Sequence, residues 1–152
     1  MPKKAITSPK AKAIGPYSAA VESGDLVFVS GQIPLDSGTG KLVEGDIAAQ
    51  ARQSLENLKT ILGAAGLGFA HVVKTTIFLT SMGDFAAVNE VYKSYVGEPY
   101  PARSTIAVAA LPMGAKVEID LNAAERQMFL KSVESVKGLI EACGKIAPHL
   151  AR

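Results

Sequence analysis

The apolar residues of this 152-residue chain repeat with two different periods, and this alternation limits the possible folds more than any other feature. Between residues 47 and 65 they recur every three or four positions, which predicts an amphipathic helix that begins after Asp46 and ends before Gly66. The same period predicts a second helix over Phe85–Val96. The segments around these helices alternate in steps of two, as strands do. The pattern therefore predicts a single α+β domain.

Five strands are predicted around the two helices. They cover residues 18–32 in two pieces joined by a turn, then 72–80, 102–108 and 116–123, with a loop at 36–40 that has room for one more short strand. Two helices and five strands predict one sheet with both helices on the same face. Apart from the C-terminal tail, no segment is left to cover the other face, so we expect further copies of the chain to cover it.

Composition excludes several classes of function. The net charge of +2 is too small to favour a nucleic-acid-binding protein. The single cysteine, Cys143, favours a reducing compartment, and without a signal peptide or a membrane-spanning stretch we expect a cytoplasmic protein. His71 and His149 lie far apart with no cysteines nearby, so no metal site is expected. The phosphate-binding, dinucleotide-binding and serine-hydrolase motifs are missing from the sequence.

Two opposite charges are the first candidates for chemistry. Arg103 alternates with the aliphatic residues of its predicted strand, and Glu118 does the same in the last strand. If the aliphatic faces meet the helices, Arg103 and Glu118 both project from the uncovered face. Arginine can bind a substrate carboxylate through two donors, and glutamate can hold and polarise a water molecule. The alternative is a structural salt bridge, or two unrelated surface charges.

Four other residues are weaker candidates, each with a structural alternative. Tyr17 follows a Gly-Pro turn, where it could also be an ordinary packed ring. Ser30 and Gly31 end a strand, where a hydroxyl and a bare backbone could approach a ligand or simply terminate the strand. Asn89 lies on the second predicted helix, beside its apolar stripe, and could equally be a solvated residue.

Residues 101–119, PARSTIAVAALPMGAKVEI, resemble the signature of the RidA/YjgF family. Five earlier blocks resemble the same family: IGPYS at 14–18, SGQIP at 30–34, AAQARQSLEN at 48–57, VKTT at 73–76 and DFAAVN at 84–89. The blocks follow one another with family-like spacing.

This resemblance implies a chorismate-mutase-like fold in which three copies pack sheet to sheet into a homotrimeric barrel, with a cleft between each pair of copies. It implies hydrolysis of 2-iminobutanoate and 2-iminopropanoate to 2-keto acids and ammonia, without cofactor or metal. Arg103 would bind the substrate carboxylate, Glu118 would position the attacking water, and Tyr17 would close the cleft from the neighbouring copy. The cleft would be lined by Ser30, Gly31, Asn89 and Thr105.

The chain departs from the family pattern at two places. Many deaminases of the family carry cysteine where this chain has Thr105. The family also ends soon after the last strand, so residues 1–124 form the family-like domain and residues 125–152 are an extension, whose apolar spacing predicts an amphipathic helix. Two other functions stay open: a non-catalytic trimer that binds small metabolites or acts like a chaperone, and a ribonuclease, which the weak charge and the lack of a histidine pair disfavour.

Overall fold

The computed structural model describes residues 2–10 and 13–125. Within them the helices are α1 (Ile47–Ala64) and α2 (Phe85–Lys93). The strands, in chain order, are β1 (Lys4–Ile6), β2 (Ala20–Ser23), β3 (Leu26–Gln32), β4 (Leu35–Asp36), β5 (Lys41–Leu42), β6 (Val72–Leu79), β7 (Ala102–Ala107) and β8 (Val117–Ala124). The predicted α+β class and both predicted helices are confirmed.

Six of the strands form one mixed sheet in the order β1-β2-β3-β8-β6-β7, while β4 and β5 make a separate hairpin. All neighbouring pairs in the large sheet are antiparallel except β6 and β7, which are parallel. A parallel pair requires a crossover connection, and α2 supplies it. This places β7 at the edge of the sheet, directly after the helix.

Both helices contribute to a single core on one face of the sheet. The N-terminus of α1 is capped as predicted, since Asp46 Oδ1 accepts a hydrogen bond of 2.9 Å from the Ala49 amide. From there α1 buries its apolar stripe against alternate residues of β8. Each leucine or isoleucine buried in this way stabilises the fold by roughly 1.5–3 kcal/mol. The fully buried side chains of this core, from α1, β6 and β8, include Leu55, Leu58, Leu62, Ile77, Ile119 and Leu121.

The structure adds to or differs from the sequence pattern at three places. Strict alternation along residues 72–80 places Val73 on the same face as Thr75, but the register between β6 and β8 shifts after Val72, and Val73 is turned outward and exposed. The second helix ends at Lys93 rather than Val96. The described lysines of the N-terminal segment are exposed, as solvated residues are, and within this segment β1 pairs with β2 along the edge of the sheet.

The opposite face of the sheet is uncovered by any described element. Polar side chains alternate there with large apolar ones, of which Phe28 is 44% and Ile106 45% exposed. No helix among the described residues is long and apolar enough to span a membrane. The predicted C-terminal helix falls in residues 126–152, which lie outside the described residues.

Candidate active site

Arg103 lies on edge strand β7 and projects toward α2. Its Nη1 donates a 2.8 Å hydrogen bond to the side-chain oxygen of Asn89, and its guanidinium carbon lies 5.0 Å from the ring centroid of Tyr92 and 5.6 Å from that of Phe85. Its lateral neighbour on β6 is Thr75, whose buried hydroxyl also bonds Tyr92, at 3.0 Å. Two aromatic faces and an amide therefore hold the guanidinium in place on the helix-bearing face of the sheet.

This cation has no carboxylate partner within the described part of the chain, where the only ion pairs within 4.0 Å join Lys4 to Glu22 and Lys59 to Glu56. A fixed guanidinium with free donors is suited to binding an anion. Beside it opens a pocket of about 440 Å³, lined by Asn89, Tyr92, Lys93, Val96, Tyr100, Pro101 and Arg103.

Glu118 lies on β8, on the uncovered face of the sheet. Its neighbours in sequence, Val117 and Ile119, are buried on the helix side, so strand alternation turns Glu118 the other way. Its carboxyl group lies against the backbone of Gly31, where an added Cβ would be only 2.8 Å from the Glu118 Cδ. Partial burial, followed by the nearby charge of Asp120, raises the pKa of Glu118 above its ordinary value. A carboxylate of raised pKa is a stronger base toward a bound water.

Ser30 directly precedes Gly31, the residue that Glu118 contacts, and it is bonded to the segment that carries Tyr17. The Ser30 hydroxyl donates to the Ser18 carbonyl oxygen at 2.7 Å, and the Ser30 amide donates to Ala19 at 3.0 Å. These bonds attach the end of β3 to the segment that carries Tyr17. The Tyr17 ring is about half exposed, and its hydroxyl accepts a long bond of 3.5 Å from the Ile14 amide.

The expectation that Arg103 and Glu118 share a face of the sheet was wrong. The predicted alternation of side chains within each strand was correct. The error was to place the aliphatic face of β7 against the helices, because Ile106, on that face, is exposed on the open side of the sheet. Glu118 pairs through Phe78 with Ile106, whereas Arg103 pairs through Thr75 with Leu121 of the core. With β6 between them, β7 and β8 are also separated by roughly 10 Å.

The candidate residues therefore form two groups. We call Arg103 and Asn89 the cationic half-site, and Glu118, Gly31, Ser30 and Tyr17 the acidic half-site. Thr105 lies on the same face of β7 as Arg103, and its buried hydroxyl oxygen has no hydrogen-bond partner among the described residues.

The aromatic support of the cationic half-site has no distinctive signal in the sequence. Phe85 and Tyr92 lie at helical spacing within the second predicted helix, where aromatic residues are ordinary core residues. Their contact with Arg103 depends on the edge position of β7, which local patterns do not reveal. The described residues contain no cluster of three or more potential metal ligands, and His71 Nδ1 accepts a 3.1 Å bond from the Gly68 amide.

Comparison with known proteins gives consistent results over this domain. The family model described as Endoribonuclease L-PSP matches residues 7–125. The chain is 58% identical over 123 residues to protein DfrA of Myxococcus xanthus, covering 79% of this chain and 94% of DfrA. It is 50% identical over 119 residues to 2-iminobutanoate/2-iminopropanoate deaminase of Mus musculus, covering 78% of this chain and 88% of the mouse protein.

The fold agrees with a solved structure as well. The crystal structure of E. coli TdcF with bound serine superposes with a TM-score of 0.75 at 44% sequence identity, covering 80% of this chain and 98% of TdcF. Residues beyond 125 fall outside the family match. The chain belongs to the RidA/YjgF family, whose sequence model carries the description Endoribonuclease L-PSP.

Proposed function

We propose that this protein hydrolyses 2-imino acids, among them 2-iminobutanoate and 2-iminopropanoate, to 2-keto acids and ammonia. The observation that carries the proposal is the Arg103 guanidinium, fixed by Asn89 and two rings and free of any carboxylate in the described residues. Such a group suits the α-carboxylate of an imino acid. Relatives at 46–50% identity are named as deaminases of these two substrates, and TdcF binds serine, which carries the same carboxylate.

The complete site requires two copies of the chain in this proposal. Arg103 and Glu118 point to opposite faces of one sheet, so a substrate held by Arg103 meets the Glu118 of a neighbour. Tyr17, Ser30 and Gly31 come from the same copy as that Glu118, while Asn89 and Thr105 come with Arg103. We propose a homotrimer for this assembly, supported by the edge position of β7 and by the exposed Phe28 and Ile106 on the open face.

The reaction needs only positioning and one base. Arg103 binds the carboxylate of the substrate, and Glu118 accepts a proton from a water whose oxygen attacks the imine carbon. Glu118 returns this proton to the imine nitrogen, which completes the neutral carbinolamine. Glu118 then takes the proton of the new hydroxyl group and passes it to the same nitrogen, so that the C–N bond breaks, the C=O bond forms and ammonia leaves. Imines are already electrophilic, so the proposal uses neither metal nor cofactor. The lone cysteine favours a reducing compartment, and we place the activity in the cytoplasm.

A subunit-mixing experiment tests the divided site. Arg103→Ala should lower kcat/KM about 100-fold, because a charge-assisted hydrogen bond contributes roughly 1.5–3 kcal/mol. Glu118→Gln should be at least as damaging, since it removes the base. When the two inactive variants exchange subunits, about one quarter of the interfaces should combine an intact Arg103 with an intact Glu118. We therefore expect about one quarter of the wild-type rate of keto-acid formation in the mixture.

The matched control mixes Arg103→Ala with Asn89→Ala, two variants of the same half-site. This mixture should show only the average of the two separate activities, because no interface regains an intact cationic half-site. Native mass spectrometry would verify that subunits have exchanged. If exchanged Arg103→Ala and Glu118→Gln copies regain no activity, the divided site is wrong.

A second candidate is a non-catalytic trimer that binds small metabolites or acts like a chaperone. The separation of Arg103 from Glu118 within one chain favours it, because binding alone requires only the cationic half-site. It predicts Arg103-dependent binding of 2-oxobutanoate together with no acceleration of imine hydrolysis. A ribonuclease, the activity in the description of the family model, predicts cleavage of single-stranded RNA that Arg103→Ala and Glu118→Gln abolish.

A further inference from the structure

The pocket beside Arg103 contains a second cation, Lys93. We infer that this pocket selects dicarboxylic 2-imino acids and the corresponding 2-keto acids, with Arg103 on the carboxylate next to the imine and Lys93 on the distal carboxylate. The inference rests on the proposed function for the role of Arg103, and it adds the class of side chain that the substrate carries.

The charges of the lining residues are the first argument. Arg103 and Lys93 both line the pocket, and no aspartate or glutamate does. Neither cation lies within 4.0 Å of a carboxylate oxygen anywhere in residues 2–10 and 13–125. A concave site with two cations and no carboxylate in its lining should bind a dianion more tightly than a monoanion, because each negative charge of the dianion can contact one cation.

The spacing along α2 is the second argument. Asn89, which holds Arg103, and Lys93 are four residues apart and therefore lie on the same side of the helix. The rise of an α-helix separates them by about 6 Å along its axis. Lys93 is thus about one helical turn from the residue that Arg103 contacts, and both cations line the same pocket, so one small molecule can reach both.

The remaining wall of the pocket is the third argument. Val96 and Pro101 present aliphatic surface, and Tyr100 presents an exposed aromatic ring. These groups suit the methylene carbons between two carboxylates. The pocket volume of about 440 Å³ is within the roughly 300–1,000 Å³ typical of small-molecule sites, so it has room for a side chain longer than that of 2-iminobutanoate.

Calorimetric binding of keto acids to the full-length protein tests the inference without requiring catalysis. The compared ligands are 2-oxoglutarate and 2-oxopentanoate, which have the same number of carbons and differ in the distal carboxylate. We expect 2-oxoglutarate to bind about 5- to 10-fold more tightly, the gain of one partly exposed charge-assisted contact. Lys93→Gln should remove this preference by weakening the binding of 2-oxoglutarate, while Lys59→Gln, on α1, should keep the preference.

Equal affinity for the two acids in the wild type, or a preference that survives Lys93→Gln, overturns the inference. The same comparison with the imines, generated by an amino acid oxidase from glutamate and from norvaline, separates the two proposals. A binding preference without hydrolysis of either imine refutes the proposed function and leaves the dicarboxylate site standing. Hydrolysis of both imines at equal kcat/KM, with equal binding, refutes the dicarboxylate site alone.

Discussion

At the scale of single residues, the contact between Gly31 and Glu118 determines where the proposed catalytic carboxyl group lies. The carboxyl group occupies the space that any side chain at position 31 would need. The glycine therefore allows Glu118 to lie flat against the backbone of β3. This is a requirement for close approach, since Gly31 is not one of the residues with positive φ.

Gly31→Ala should lower activity far more than stability. The new methyl group would meet the end of a flexible side chain, so Glu118 can rotate away at little cost in folding free energy. Displacing a catalytic group by about 1 Å can lower the rate roughly 100-fold, and we expect a loss in kcat/KM of that order. Steady-state kinetics and urea unfolding measure the two effects. An equally large loss of stability would show that Gly31 has a structural role instead.

The raised pKa of Glu118 predicts a change in pH dependence. The charge of Asp120 contributes to that pKa after burial does, so Asp120→Asn should lower the Glu118 pKa. The base then stays ionised to lower pH, and the acid limb of the kcat/KM profile should move to lower pH. The amide introduced by this substitution keeps an oxygen that can accept the 3.1 Å bond from the Thr76 amide. Glu44→Gln, an equal change of charge in a loop, should leave the profile unmoved.

At the scale of secondary-structure elements, Tyr95 joins the segment after α2 to α1. Its hydroxyl donates a 2.7 Å hydrogen bond to Glu56 Oε1, and Phe69 packs edge-on against its ring at 5.4 Å. Burial first, and then the bond to Glu56, raises the pKa of Tyr95 from its ordinary 10.0 to about 12. The link fixes the C-terminal end of α2, the helix that positions Asn89 and Lys93.

Tyr95→Phe should lower the free energy of unfolding by about 1 kcal/mol at neutral pH, the usual net contribution of one hydrogen bond. The folded-state pKa of Tyr95 is raised, so its contribution is complete below pH 10 and is lost as pH rises toward 12. The wild type should therefore lose this advantage over Tyr95→Phe across that interval in denaturant titrations. Tyr100→Phe, on an exposed ring, is the control and should have no effect on stability at neutral pH.

Helices and strands with strong patterns were predictable from the sequence, and interruptions of those patterns were not. The α1 stripe and its Asp46 cap follow from spacing alone, because each depends on residues within one helix. Val73 was misplaced because a bulge between β6 and β8 depends on the partner strand. The predicted orientation of Arg103 was wrong for a similar reason, because the sequence does not show which face of an edge strand a crossover helix covers.

At the scale of the whole molecule, the identities of the candidate residues came from family-like blocks, but their arrangement did not. Gly31, Ser30 and Glu118 are brought together within one chain, and so are Arg103 and Asn89. No sequence pattern showed that the two groups would be separated by the sheet itself. The prediction of a partner copy came from the sheet face that no predicted segment covers, and it stays a prediction that the mixing experiment addresses.

The opposite orientations of Arg103 and Glu118 have a consequence for how copies combine. The two half-sites lie on different faces of the sheet. A two-fold dimer would therefore complete both centres only if each copy placed its cationic half-site against the acidic half-site of the other copy at the same interface. In a head-to-tail arrangement, two copies complete one centre and leave an unmatched half at each end. Closing the arrangement into a ring uses every half, so the number of working centres equals the number of chains. Closing three copies into a ring would then add a third centre to the two that an open row of three copies completes.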